Sequence, residues 1–240
     1  MQSKHILITV LVGIFGLAVG FMLANKLNRA EFERLRPAGD AANTSTNSRS
    51  DADLSDEEIN AKLEEAAASP EDLKFQKGLG VSLYRFGTMK RDAELIEKAL
   101  VPLNRANALD PKDNEIISIL GNAYFDLGYF KKDNASLERS RPYYEDLLNK
   151  RPDDVENRTD LGLSYFLTDP PDLEHAAREF ELALAKDPKH EKALQFYIQT
   201  LAKQNKREKA RQELAKLRAA NPKNPALTEL EAFLNKPTEQ

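Results

Sequence analysis

The chain has no cysteine and no tryptophan, and only three histidines and ten glycines among its 240 residues. Without cysteine there can be no disulfide framework, thiolate nucleophile, iron–sulfur cluster or cysteine-held zinc. His5, His175 and His190 form no H-E-x-x-H pair and have no second ligand at helical spacing, so the sequence offers no metal-ligand set. Charge of one sign is also lacking. Lys plus Arg number 35 and Asp plus Glu 39, a net charge of −4, which is neither the basic excess of a nucleic-acid binder nor the acidic excess of a disordered chain. Gly78-Leu79-Gly80 begins like a phosphate loop but follows no strand and lacks the later glycine, no G-x-S-x-G elbow occurs, and the carboxylates are scattered. The expectation is a protein that is not an enzyme, takes no cofactor and binds no nucleic acid.

Long apolar runs are absent except one. From Ile6 to Ala24 every residue is apolar, Gly or Thr, and 19 residues at about 1.5 Å each match a hydrocarbon core of about 30 Å. This reads as a single N-terminal transmembrane anchor within residues 1–26. The rival reading is a cleaved signal peptide, with Lys4 before an apolar segment and Ala18-Val19-Gly20 as the cleavage site; the run continues past it through Phe21, Met22 and Leu23. Gly16 and Gly20 form a G-x-x-x-G pair with Gly13 on nearly the same face, a spacing that allows two spans to pack as a homodimer. Lys26, Arg29, Arg34 and Arg36 after the span favour a cytoplasmic C-terminal side. Glu31 and Glu33 offset them, and large domains translocate readily behind short anchors, so the expected location of the remainder is extracytoplasmic.

Residues 27–53 read as a juxtamembrane segment followed by a flexible linker. Ala38 to Asp53 contains no large apolar residue, so nothing there offsets the entropy of ordering. Folded structure is expected to begin with an N-terminal helix over 54–69. Ser55 and Glu58 have the spacing of a capping box, and Leu54 can staple onto Ile59.

Beyond it the chain repeats. Leu79-Gly80 with Tyr84, Leu120-Gly121 with Tyr124, and Leu161-Gly162 with Tyr165 are the same phrase, and each unit closes on a phrase such as Ala106…Asp110-Pro111 or Ala183…Asp187-Pro188. Pro70, Pro111, Pro152, Pro188 and Pro222 are spaced by 41, 41, 36 and 34 residues. Residues 70–222 resemble the tetratricopeptide repeat family, whose period is 34. The resemblance implies an all-α fold: a right-handed helical solenoid of about four helix pairs (70–110, 111–151, 152–187 and 188–222), closed by a cap helix and tail over 223–240. In the last unit Ile198 and Leu217 replace the expected glycine and alanine. The first two units each carry seven extra residues, near 88–94 and 131–137, which should extend the second helix or protrude as a loop. Pro102 and Pro142 should kink such helices.

The resemblance also implies a concave groove lined by the first helix of each unit. Counting from each small residue places Tyr84, Phe125 and Phe166 as an aromatic stripe on its floor. The same counting sets Lys74, Lys77, Arg85, Ser118, Asn122, Asp126, Thr159, Leu163, Gln195, Gln199 and Lys203 around them. These three aromatics are equally open to a core reading, because large rings are usually buried. Val81 and Ile119 stand where the family's carboxylate clamp has asparagine, so an extended or helical apolar segment is the expected ligand. Charge is uneven along the chain: residues 51–185 hold 17 basic against 29 acidic residues, net −12, whereas 186–223 hold 11 against 4, net +7. The functional expectation is a membrane-anchored scaffold or chaperone that binds a protein or peptide client beside a membrane complex. In layout it is similar to bacterial cytochrome c maturation subunits and to ancillary factors of the secretion channel. The alternative is a self-assembling membrane protein without a separate client.

Overall fold

The computed structural model describes residues 55–235, which form ten helices and no strand. The apolar run at 6–24, the glycines at 13, 16 and 20, the linker and Leu54 lie outside the described residues. Among the described residues, 55–235, no helix is long and apolar enough to cross a membrane.

Helix α1 spans Asp56–Ala68 and starts as its sequence dictates: Ser55 Oγ accepts from Glu58 N–H while the Glu58 carboxylate accepts from Ser55 N–H. The pairs follow as α2 (Leu73–Lys90) with α3 (Ala93–Leu109), α4 (Asn114–Lys131) with α5 (Asn134–Lys150), α6 (Val155–Phe166) with α7 (Leu173–Lys186), and α8 (Glu191–Lys203) with α9 (Arg207–Ala220). The last helix, α10, spans Leu227–Asn235 and buries Leu227, Leu230 and Leu234 on the end of the stack. Each helix packs on the next one in sequence. Asp72, Asp92, Asp113, Asp133, Asp154 and Asp172 cap their helices with side-chain oxygens on free N–H groups. Buried Gln76 joins α1 to the stack, donating to the carbonyls of Ala66 and Ser69.

The extra residues of the first two units neither protrude as loops nor fall only in the second helix. Helices α2 and α4 have 18 residues and α3 and α5 have 17, against 12 to 14 for the four helices of the later pairs. Both partners have grown, because the hairpin turn stays at two residues. Arg91 and Lys132 take left-handed backbone at φ 56° and 54°, and the aspartate after each caps the next helix. Helices α3 and α5 run continuously through Pro102 and Pro142.

Such long hairpins need a second close crossing two turns beyond the first. Gly128 supplies it in the second unit: a Cβ there would lie 2.7 Å from Leu137 Cγ, 2.8 Å from Leu137 N and 3.0 Å from Asp133 O. Two of those atoms are backbone and cannot step aside. Gly128→Ala is therefore expected to cost about 1–2 kcal/mol even after its gain in helix propensity. Gly78, whose added Cβ meets nothing within 4 Å, is the control. Gly78→Ala should stabilise by about 0.5–1 kcal/mol. Urea unfolding of the two variants would show opposite signs, and equal signs would refute the crossing argument.

The core runs along the stack in two main stretches. One joins Ile59 to Leu120 through α1 to α4; the other joins Phe125 to Leu234 through α4 to α10. Ile198 and Leu217 are both fully buried in the last pair.

Candidate functional site: the inner face of the first helices

The first helices meet across the stack, α2 with α4 and α6 with α8, while the second helices stand further apart. The first helices thus form the inner layer, the side on which helix-pair solenoids are concave. Side chains bridge this layer in two places, between α2 and α4 and between α6 and α8. Lys77 on α2 reaches Asp113, the N-cap of α4, at 2.6 Å and Glu115 at 2.8 Å. Tyr84 on α2 donates its hydroxyl to Asp126 on α4 at 2.8 Å. Lys192 on α8 contacts Asp160 on α6 at 2.5 Å and lies 4.0 Å from Glu156. His190, the N-cap of α8, accepts from Ala193 N–H at Nδ1, so Nε2 bears the proton and donates to Glu156 at 2.8 Å.

Titration follows from this geometry. Burial and the nearby charge of Asp160 push the Asp126 carboxyl up to about 7, against the opposing effects of the Tyr84 hydrogen bond and of Lys192. Burial, reinforced by Asp126, drives the Tyr84 hydroxyl well above its ordinary range. The His190 hydrogen bond holds Glu156 below the ordinary carboxylate range. Hydrogen bonds to Asp113 and Glu115 raise Lys77.

The aromatic stripe expected on the groove floor is part of the core. Phe125 is 7% and Phe166 6% exposed. Phe125 meets Tyr144 edge-on, and Phe166 meets Phe196 edge-on at 5.7 Å. Tyr84 alone of the three is half-buried, its ring against the core and its hydroxyl on Asp126. The residue one step earlier varies from unit to unit, and Leu83 is buried. Tyr124 and Tyr165 are half-buried rather than core: Tyr124 stacks on Tyr143 at 5.8 Å, and Tyr165 lies between His175 at 5.0 Å and the Arg141 guanidinium at 4.0 Å. Large rings at adjacent helix positions point about 100° apart, and the count chose the wrong one as exposed.

The other counted residues divide. Lys77 is engaged with Asp113 and Glu115, and Leu163 is buried. Thr159 is fully buried and donates to Val155 O. Asn122 accepts from the Tyr144 hydroxyl, and Gln195 donates to Asn224. Ser118 and Gln199 are half-buried, Lys74 and Arg85 are exposed, and Lys203 sits 5.8 Å over the Phe166 ring. Counting missed Glu156, Asp160, His190 and Lys192. The signal was present: an acid on one first helix and a base on the next, 32 residues apart for Asp160 and Lys192, close to one repeat period.

Residues 172–232 match the family model described as tetratricopeptide repeat, a stretch from the N-cap of α7 into α10. The crystal structure of MamA protein superposes with a TM-score of 0.52 at 20% identity, covering 69% of this chain and 82% of that one. A tetratricopeptide repeat protein from Parabacteroides merdae superposes with a TM-score of 0.53 at 18% identity, covering 66% of this chain and 59% of its own. No curated protein matches the chain. At these identities the shared property is the fold. Residues 172–232 carry tetratricopeptide repeat sequence, and the described residues together form a tetratricopeptide-type helical solenoid.

Proposed function

We propose that this chain is a non-catalytic scaffold that holds a polypeptide on the inner face of its first helices, and that residues 6–24 tether it to a membrane. The observation that carries this reading is the inner layer itself. From Lys77 to Lys192 the first helices present charged and polar side chains, paired between α2 and α4 and between α6 and α8, a composition suited to ordering a bound chain through polar contacts rather than to filling the core. Solenoids of stacked helix pairs use such extended inner surfaces for binding. With Phe125 and Phe166 buried, contact with a client runs through the polar row and Tyr84 rather than through an open aromatic floor. Tethering beside a membrane complex, in protein maturation, secretion or cytochrome c biogenesis, agrees with the apolar run of 19 residues followed by basic residues.

Site-specific photocrosslinking in cells tests this directly. A crosslinker at Ser118 or Gln199, on the first helices, should capture one discrete polypeptide. The same group at Val101 or Leu182, exposed on second helices, should not. Equal capture from both faces, or homo-oligomers alone, would replace the scaffold reading with self-assembly. Protease digestion between residues 38 and 53 in intact and in opened cells fixes the side: cleavage only after opening the inner membrane would overturn the extracytoplasmic assignment.

A further inference from the structure

On the side of the second helices, α3 and α5 stand apart and leave a cleft of about 530 Å³. Ile117 and Tyr124 of α4 form its floor, Asn107 of α3 stands on one wall, and Pro142 and Tyr143 of α5 on the other. Tyr143 stacks on Tyr124 at 5.8 Å, so the lining is largely apolar. The matching clefts of the neighbouring units are closed by their own side chains. Gly121 meets Tyr143 and Tyr144 across its hairpin, and Gly162 meets Glu179 and Phe180, so Ile117 corresponds to Arg158 and Tyr143 to Glu179. Arg158 binds Glu179 at 3.0 Å, both side chains being at most 17% exposed, and also donates to the Pro152 carbonyl. One unit earlier Gln76 takes the place of Ile117 and, with Arg105, donates to the Ala66 carbonyl of α1. Ile117 and Tyr143 can make no such bridge, and the middle cleft is left as an apolar surface between polar-bridged neighbours, the kind of surface that an apolar side chain covers.

We propose that the occupant is this chain's own segment 27–36, seated through Phe32 and Leu35. Between residues 28 and 53 these two are the only large apolar side chains. The chain enters the fold beside the cleft: the Asp56 carboxylate at the start of α1 lies 3.8 Å from Lys98 on α3, and Asn107 is nine residues further along that helix, about 14 Å. The 18 residues from Pro37 to Leu54 can span up to about 60 Å, so the segment reaches the cleft without displacing a helix. Charge is matched as well. Arg139 and Asp146 line the cleft two turns apart on α5, about 10 Å, and Glu33 and Arg36 subtend about the same distance in an extended stretch. Asp146 also holds Lys150 at 2.8 Å, an exposed pair that Arg36 joins. Modest contacts suffice, because a short tether holds the segment at an effective concentration in the millimolar range. The inner face stays open to a client. Only one consequence rests on the tether reading: with residues 6–24 in a bilayer, Phe32 follows Ala24 by eight residues, about 28 Å at most, so docking holds α4 and α5 beside the membrane.

The chain has no cysteine, so disulfide trapping needs no background replacement. Full-length protein in detergent carrying Ala30→Cys with Asn107→Cys is oxidised at high dilution and compared with protein carrying Asn43→Cys with Asn107→Cys. A freely moving tether closes the shorter loop, from Asn43, at least as quickly. Docking reverses the order: the Ala30 pair should close within one chain at least about tenfold faster than the Asn43 pair. Phe32→Ser with Leu35→Ser lies outside the helical stack, leaves its packing intact, and should return the Ala30 pair to the rate of the Asn43 pair or below. Ile117→Arg with Tyr143→Glu, which copies the bridge between Arg158 and Glu179, should do the same while far-UV circular dichroism stays helical. An Ala30 pair no faster than the Asn43 pair overturns the proposal, as does a preference that survives Phe32→Ser with Leu35→Ser. Disulfides that form only between chains also overturn it and assign the cleft to a second copy. Capture from Ser118 and Gln199 tests the inner-face reading separately, so either reading can fail while the other stands.

Discussion

Phe180→Ala is expected to lower the unfolding free energy by about 3–5 kcal/mol, a large share of the 5–15 kcal/mol typical of a whole domain. Phe180 is fully buried on α7, and its ring reaches both neighbouring first helices. Towards α6 it covers Gly162, where a Cβ would fall 2.7 Å from Phe180 Cε1 and 2.9 Å from Cδ1. Towards α8 it stacks on Phe196 at 6.4 Å, and Phe196 in turn meets Phe166. One ring thus holds three helices, and its loss leaves a cavity that the rigid hairpin cannot close. A double-mutant cycle makes the argument specific. Alone, Gly162→Ala drives a methyl into the ring and should destabilise by about 1–2 kcal/mol. With Phe180→Ala the methyl enters vacated space, Glu179 Cβ at 3.2 Å being the remaining close neighbour, so the helix-propensity gain of about 1 kcal/mol should emerge. Chemical denaturation of the four proteins should therefore give a coupling of about 1–3 kcal/mol, and additive costs would refute the crossing geometry. Because solenoid units couple mainly to their neighbours, hydrogen exchange should rise in α6 to α10 while α1 to α3, in the other core stretch, keep their protection.

The contrast between Phe180 and Phe166 shows what was legible in the sequence. Gly162 and Phe180 carry the repeat's own pattern, and such residues follow from the need of two helices to cross closely, a local requirement repeated every unit. The Ser55–Glu58 cap and the glycines announced helices for the same reason. The long hairpins were announced as insertions but not apportioned, because a register of seven residues can be absorbed by either helix. Gly87 and Gly128, each seven residues after the repeat's glycine, were the sign that both had lengthened. Exposure of the inner face was harder to read. Whether Phe125 or Tyr124 reaches solvent depends on how far one unit is rotated against the next, a tertiary quantity on which a single unit's sequence is silent. The polar centre was overlooked for a related reason: Asp126, Asp160 and Lys192 come from three different units, and each alone reads as an ordinary surface charge.

Asp126→Asn is expected to stabilise the protein at about pH 8 by about 2–3 kcal/mol and to leave it nearly unchanged at about pH 4. The sign follows from where the proton sits. Unfolded, an aspartate titrates near 4; folded, Asp126 is pushed up to about 7, first by burial and then by Asp160. Between those values the native state binds a proton that the unfolded chain has lost, so stability falls as pH rises through this window. At about 1.4 kcal/mol per pH unit the separation sets an upper bound of about 4 kcal/mol, which access of water to the inner face reduces. Asparagine keeps a side-chain oxygen for the Tyr84 hydroxyl but never carries charge, so the variant loses only the titration. Other carboxylates act in the opposite direction at lower pH. Asp133 and Glu156 are held below their ordinary values chiefly by hydrogen bonds from Ser136 and His190, and Asp113, against its burial, by Lys77 together with the Ile116 and Glu115 N–H groups; their contributions disappear as pH falls below about 4. The wild-type profile should accordingly rise out of the acid range, peak near pH 5 and decline towards pH 7, whereas Asp126→Asn should rise to a plateau. Thermal melts followed by far-UV circular dichroism across this range would show the two curves diverging between about pH 4 and 7; parallel curves, or a variant that is weaker at pH 8, would mean that Asp126 keeps its charge in the folded protein.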